Sequence, residues 1–452
     1  MTDANDLTQG NVSKKLLRFF FPLLLTSLLQ QIYAVADAVI VGKGLGDNAL
    51  AAVGNLSSLF FLIAGFAWGM TSGFAVIIAQ KYGANDAKGL RKSIALSVKL
   101  SALLAVILTL TGCTALKQVL IVMQTGETIM DDSLKYGYIV FGGILSTVAF
   151  SMLSAILRSL GDSRTPFIAI VISSLINIVL DCVLIFKFHT GVEGAAVATV
   201  LSQVISTFLC YFKFRKMPVD RISKEDFAAD REMYGLLLKN GLPMACMNSV
   251  TAVGCMVVQG YINGCGVAYT AAYSACSRYI NLFMLPSLTA GIAISSFVSQ
   301  NYGAKKPERI KEGVRVCVDI SLISYVLLGS VMIFLPEMLA RFMLNTPETV
   351  ALAVQYFKIC GASLIFLNLL FVCRNAVQGM GYPLVPTLSG IAEMLLRIPV
   401  IVFLLPVIGF KAAAVAEATA WGGALLMNGI AYFIHIKKVS SSLTKETVGD
   451  IK

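Results

Sequence analysis

The chain reads as an all-α membrane protein with twelve transmembrane helices in two six-helix lobes, related by pseudo-twofold symmetry along the membrane normal. Three observations predict this class: an apolar composition, twelve apolar stretches of spanning length, and a repeat that divides the chain in half. Of 452 residues, 57% are hydrophobic and 13% charged, against about 25% charged in an ordinary soluble domain. A water-soluble fold cannot hide that much apolar surface, and 37 Gly with 12 Pro exclude a disordered or collagen-like chain. Each stretch holds roughly 18 to 28 residues, enough at ~1.5 Å rise per residue to cross ~30 Å of hydrocarbon.

The segment Met1 to Ser13 is polar and runs into the first apolar stretch without a small-residue cleavage pattern, so no removable signal peptide is expected. Span 1 covers Leu16 to Val41 and follows Lys14, Lys15 and Arg18; span 2 covers Leu50 to Ala79, beyond Lys43. Lys81, Lys88, Arg91 and Lys92 separate it from span 3, Ile94 to Thr114, and Lys117 and Lys135 precede span 4, Tyr136 to Leu157. Arg158 and Arg164 introduce span 5, Pro166 to Phe186, and Lys187 leads to span 6, Gly194 to Phe212. A polar stretch from Lys213 to Lys239 precedes span 7, Leu236 to Asn263, and span 8, Tyr269 to Ser299. Lys305, Lys306, Arg309 and Lys311 introduce span 9, Val314 to Leu335, with Arg341 before span 10, Leu352 to Val372. Arg374 precedes span 11, Leu384 to Leu405, Lys411 precedes span 12, Ala412 to Ile434, and Lys437, Lys438, Lys445 and Lys452 follow it.

Alternating these connections between two sides places about 25 basic residues, Arg221 among them, on one side and about 6 on the other. That asymmetry assigns both termini to the cytoplasm and the chain to a plasma membrane. The formal net charge of +11 is thus an orientation signal, and no nucleic-acid partner is expected.

Gln80-Lys81-Tyr82-Gly83-Ala84 recurs as Gln300-Asn301-Tyr302-Gly303-Ala304, an offset of 220 residues. Arg158-Ser159-Leu160-Gly161 with Pro166 recurs as Gln378-Gly379-Met380-Gly381 with Pro386 at the same offset, and Pro22 matches Pro243 at 221. Ala196-Val197-Ala198 recurs as Ala414-Val415-Ala416 at 218. Several matches at a near-constant offset indicate a duplicated unit of six helices, an even number, so the copies share one orientation. The expected organisation is an N-terminal lobe over 1–212, a cytoplasmic interlobe loop over 213–239, a C-terminal lobe over 240–436 and a cytoplasmic tail over 437–452.

Few carboxylates fall inside the spans, and each costs about 2.5 kcal/mol or more unless it is given a partner, a proton or a cation. Asp37 and Asp181 lie at similar depth near the outer ends of spans 1 and 5, and Thr199 lies as deep from the outer start of span 6. Asn177, four residues before Asp181, shares its helix face. Two carboxylates, an amide and a hydroxyl make an all-oxygen cluster suited to Na⁺ or to a proton shared between two acids. In the second half, Glu393, Arg397 and Glu417 fall inside the spans, and Arg278 is positioned to join them or to line the cavity. The repeat offsets map Ser173 to Glu393, Asn177 to Arg397 and Thr199 to Glu417, which suggests a built-in guanidinium where the first half takes an exchangeable cation.

These residues carry a resemblance over nearly the whole chain. Pro22 with Asp37, Gln80-x-Tyr82-Gly83-Ala84 and its repeat, Arg158 to Gly161 before Pro166, Asn177-x-x-x-Asp181 and Thr199 resemble the multidrug and toxic compound extrusion family of cation-coupled transporters. The resemblance implies coupling by Na⁺ or H⁺ at Asp37, Asn177, Asp181 and Thr199, with a bend in the first helix at Pro22. It places the chain in the branch with an N-lobe cation site, since spans 7 and 10 lack the acidic residues of the other branch.

The expected function is secondary active export of amphipathic, often cationic, organic compounds in exchange for Na⁺ or H⁺, with a lipid-linked oligosaccharide or lipid flippase as the alternative. No catalytic or Walker motif and no histidine dyad is present, His189 and His435 being isolated, so no enzyme activity is expected. Ten cysteines scattered singly argue against a zinc site or disulfide framework. No cofactor beyond the coupling ion is expected; the expected partners are small organic substrates and membrane lipids, and the chain is expected to be a monomer.

Overall fold

The computed structural model describes residues 6–449 apart from Gln124, Pro218, Asp220 and Arg221. Arg221 and Lys452 of the sidedness count therefore lie outside the described residues, and so does the side chain of Lys445. The chain is helical almost throughout, and its helices follow the twelve expected spans. α1 (Val12–Leu45), α2 (Asp47–Gly83) and α3 (Ala87–Val122) are single long helices. Span 4 is a pair, α4 (Glu127–Gly142) and α5 (Ile144–Ser159), bent by 43°. α6 (Arg164–Cys182) continues into a wider π-helical turn, Val183–Lys187, and α7 (Gly191–Phe214) closes the first half.

In the second half, α8 (Arg231–Asn263) leads to the pair α9 (Val267–Phe283) and α10 (Leu285–Gly303), bent by 41°. Span 9 comprises α11 (Pro307–Ser324), a second wide turn (Tyr325–Gly329) and α12 (Ser330–Phe334). A short helix, α13 (Pro336–Met343), precedes α14 (Pro347–Gly379), α15 (Leu384–Ile408) and α16 (Lys411–Gly449). Among the described residues, nine helices are individually long and apolar enough to span, and eleven spans result when each bent pair is joined; α16, 39 residues long, is the twelfth.

Both bends have local causes. At Gly143 a Cβ would lie 2.4 Å from Val200 Cγ2, so the α4–α5 junction takes glycine where α7 passes close. At the α9–α10 break, Pro286 lacks the N–H that would continue the ladder from α9. Exposed apolar side chains form lipid-type stripes, as on α3, where Leu103, Val106 and Leu110 are each more than half exposed.

The duplication is visible in the backbone. Left-handed conformations occur at Gly46 and Gly266, Asn85 and Lys305, Gly161 and Gly381, and His189 and Gly409, every pair 220 residues apart. The same turn has been kept twice even where the residue differs, as at Asn85 and Lys305.

The chain separates into two compact units, one holding Phe21–Ala245 and the other Leu7–Phe20 with Cys246 onward. The first is built on two apolar cores. One gathers Phe74, Ile77, Ile94, Val148, Met152 and Leu237; the other gathers Val41, Leu56, Leu120, Phe141, Ile144 and Ile185. The second centres on Tyr273, Tyr356, Phe357, Phe410 and Trp421. These units depart from the expected lobes at both leading helices. The start of α1 groups with the second unit and the start of α8 with the first, and the changeovers fall beside Pro22 and Pro243.

Candidate functional site

In the first unit, three helices carry the residues that the depth argument had aligned. α1 carries Asp37, α6 carries Asn177 and Asp181, and α7 carries Thr199. Asn177 and Asp181 are fully buried. The carboxyl groups of Asp37 and Asp181 lie within interaction range of each other, but no hydrogen bond of ordinary geometry engages either oxygen of Asp181 or Oδ1 of Asp37. Both side-chain atoms of Asn177 are likewise buried without a partner. Thr199 spends its hydroxyl hydrogen on the Ala195 carbonyl at 3.0 Å, leaving its oxygen as an acceptor.

Two tyrosines complete the cluster and were missed in the sequence. Tyr33 lies one turn before Asp37 on α1, and Tyr136 comes from α4; both phenols reach Thr199 and feel both carboxylates. The available signal was the repeated spacing: Tyr33-x-x-x-Asp37 has the same i, i+4 form as Asn177-x-x-x-Asp181. The regular winding of α6 ends one residue after Asp181, where the wide turn begins.

Orphaned buried polar atoms are costly, at about 1–3 kcal/mol each. At this site five such atoms belong to Asp37, Asn177 and Asp181, and no salt bridge reaches the two carboxylates among the described residues. The donor set of carboxylate, amide, hydroxyl and phenol oxygens is hard and fits Na⁺ or a proton.

The second unit treats its buried carboxylates differently. Arg397 on α15 donates to Glu417 on α16 at 2.9 Å, and Glu393, one turn earlier on α15, stands at 4.0 Å from the same nitrogen. Glu393 is gripped instead by Arg374 of α14, which also reaches Ser389 at 3.4 Å. All four charged groups are buried. Two guanidinium groups thus neutralise two carboxylates, and Arg397 also contacts the Cys255 sulfur at 3.4 Å.

One expectation is corrected here. Arg374, counted as a cytoplasmic charge, is 6% exposed and belongs to this network. Of the two places expected for Arg278, the network is not its own: it is exposed and makes no ion pair among the described residues. The 220 offset carries Arg374 back to Ser154, so the network occupies the places of Ser154, Ser173, Asn177 and, at 218, Thr199. Pro22 lies inside α1, where its carbonyl accepts from the Thr26 hydroxyl at 2.8 Å.

The chain is 31% identical to the probable multidrug resistance protein YoeA of Bacillus subtilis, over 85% of each chain. It is 27% identical to the probable multidrug resistance protein NorM of Thermotoga maritima, over 86% of this chain and 85% of that one. A crystal structure of a MATE protein in the bent conformation superposes with a TM-score of 0.92 at 22% identity, covering 98% of this chain and 99% of the other. The MatE family model matches residues 22–183 and 243–403, one copy in each half, and the chain belongs to the MatE family.

Proposed function

We propose that the protein is a secondary active exporter in which inward movement of Na⁺ or H⁺ through the Asp37–Asp181 cluster drives outward movement of amphipathic, often cationic, organic compounds. Membership of a family of membrane transporters, not enzymes, fixes the broad class, and relatives bearing multidrug-resistance names support organic small molecules as cargo. The observation that carries the coupling assignment is the pair of carboxylates in a cluster of unpartnered buried polar atoms. Asp37, Asn177, Asp181, Thr199 and the two phenols would hold the ion. Its arrival neutralises like charges that no basic side chain balances, which biases α1 relative to α6 and α7.

The reading includes both termini in the cytoplasm of a plasma-membrane protein that works as a monomer. The test is efflux of a cationic dye by wild type and Asp37→Asn in inverted vesicles, with Na⁺ and pH gradients imposed separately. Wild type is expected to respond to one gradient and the variant to lose at least tenfold. Unchanged efflux in the variant removes the coupling assignment, and no efflux by wild type under either gradient points to a lipid-linked cargo instead.

A further inference from the structure

The face of α9 that points away from its core is polar and carries a guanidinium. On the inner side of the helix, Tyr273, Cys276, Ile280 and Phe283 are buried. The Tyr273 and Tyr356 rings pack edge-on with centroids 6.0 Å apart, and Tyr279 packs in the same way on Phe357 at 5.4 Å. Both partners belong to α14, so the rotation of α9 about its axis is fixed. The opposite side then presents Ser274, Arg278 and Asn281, all exposed, at the i, i+4 and i+7 positions of one helical stripe. Counted from Val267, where α9 starts, Arg278 lies about 16 Å along the helix at ~1.5 Å per residue, roughly halfway through ~30 Å of hydrocarbon.

Stripes of the lipid-facing kind look different in the same unit. On α15 the exposed residues include Leu388, Leu395 and Phe403, each more than half exposed. A guanidinium is always charged, and at mid-depth it belongs beside a counter-charge or in water rather than against hydrocarbon. Among the described residues no carboxylate pairs with Arg278, whereas the unit's buried arginines, Arg374 and Arg397, are both paired. The stripe therefore fits water held within the thickness of the membrane, with one positive charge left unbalanced.

The charge is not part of the duplicated scaffold either. At the same places 220 residues earlier stand Gly54, Ser58 and Phe61 on α2. The fold was built twice and needed a guanidinium at this place in neither copy, since Arg278 braces nothing in the copy that has it.

We propose that the exposed stripe of α9 is a recognition surface for the transported compound, on which Arg278 binds an oxyanion of the cargo, a carboxylate or a phosphate. The planar guanidinium offers paired N–H groups that match the two oxygens of such a group. Ser274 and Asn281 flank it with further hydrogen-bonding groups, and Leu282, 43% exposed, adjoins them with an apolar side chain for the rest of an amphipathic molecule. The proposal rests on the exporter reading above and narrows it: the cargo carries an acidic group whether or not it is also cationic.

The probes are a cationic rhodamine methyl ester and its parent free acid, a zwitterion with the same rings. Binding to the purified full-length protein is followed by fluorescence polarisation and needs no transport. Wild type is expected to bind the acid at least tenfold more tightly than the ester, Arg278→Gln to lose that preference, and Arg278→Lys to keep part of it. Equal binding of the two dyes by wild type, binding of neither, or a preference that survives Arg278→Gln overturns the assignment. Selective binding of the acid without gradient-driven efflux supports the oxyanion site and counts against the exporter reading alone. Competition separates the two oxyanions: displacement of the bound acid by a short prenyl phosphate at tenfold lower concentration than by the matching prenyl carboxylate supports a phosphate, the reverse order supports a carboxylate, and displacement by neither overturns the site. Water access is read from Ser274→Cys, with peptide mass spectrometry to separate it from the native cysteines. It is expected to react with thiosulfonate reagents, and the ratio of anionic to cationic reagent rates should fall about tenfold when Arg278→Gln is added; a thiol that does not react, or an unchanged ratio, overturns the proposal.

Discussion

Neutralising one buried carboxylate in each half is expected to change stability in opposite directions. Glu417→Gln removes the charge that faces Arg397 at 2.9 Å. Arg397 then has only Glu393, at 4.0 Å and already gripped by Arg374, and the network carries a net buried positive charge. Breaking a buried ion pair by removing one partner costs about 3–5 kcal/mol; glutamine keeps an acceptor oxygen, so about 3 kcal/mol is expected. Asp181→Asn instead removes a buried carboxyl that no basic side chain balances, and the fold should hold or gain stability. The assay is equilibrium unfolding in mixed micelles at neutral pH without Na⁺, followed by tryptophan fluorescence and ion-pair rescue. For the rescue, Arg397→Met added to Glu417→Gln leaves Arg374 and Glu393 as a neutral pair and should recover most of the loss. The reasoning fails if Glu417→Gln costs less than about 1 kcal/mol, or if Asp181→Asn destabilises as much as Glu417→Gln.

Thr199→Ala removes one neutral oxygen and leaves both carboxylates, so the ion concentration for half-maximal efflux should rise roughly tenfold, equivalent to about 1.4 kcal/mol; an unchanged ion dependence would place Thr199 outside the site. Gly69 and Gly73 on α2 lie against α8 within the first unit, where a Cβ on Gly73 would stand 2.3 Å from the Asn240 carbonyl oxygen. Gly73→Ala should therefore cost about 1–3 kcal/mol by overpacking, whereas Gly54→Ala, with nothing within 4 Å, should be neutral or better in the same unfolding assay. Asp226 lies outside the spans, and the Ser223 backbone N–H, with the Ser223 hydroxyl and Arg91, holds its carboxyl below the ordinary 3.8. A depressed value contributes stability above pH 3.8 that is lost as pH falls through the lowered one; hydrogen exchange over residues 222–230 should rise in that acid window, and in Asp226→Asn it should be faster than wild type at neutral pH.

Much of this was legible because a bilayer leaves few choices. Backbone groups cannot go unpaired in hydrocarbon, so a run of twenty apolar residues is a helix, and the twelve spans follow from length alone. The depth of Asp37, Asp181 and Thr199 is also one-dimensional information, readable by counting residues from the span ends. What counting cannot supply is azimuth. Arg374 sits just past the end of span 10, where a lysine or arginine normally faces water, and only the rotation of α14 turns it toward Glu393. Tyr33 and Tyr136 were hidden for the same reason, since a tyrosine on a spanning helix carries no charge to betray which way it faces. The bends at Gly143 and Pro286 lie inside continuous apolar runs, where hydropathy has no contrast to mark them. The grouping of the first turns of α1 with the second unit was invisible because hydropathy does not say which core a helix packs on.

Under the proposed coupling, the two halves explain how a duplicated scaffold would acquire a single exchange site. Backbone turns have been conserved at four paired positions, down to the sign of φ, while side chains at equivalent buried places have diverged in charge. Ser154, Ser173, Asn177 and Thr199 in one half answer to Arg374, Glu393, Arg397 and Glu417 in the other. A closed set of two guanidinium and two carboxylate groups needs nothing from solution, and any added ion would have to displace a covalently tethered one. The set with two carboxylates and only neutral neighbours is incomplete by charge, and its balance must come from outside. Were both halves open, two ions would have to arrive for each cycle; were both closed, no gradient could act on the chain. On the proposed reading, charge divergence between the copies would therefore suffice to make one half responsive to an ion and the other not, with the paired backbone turns kept.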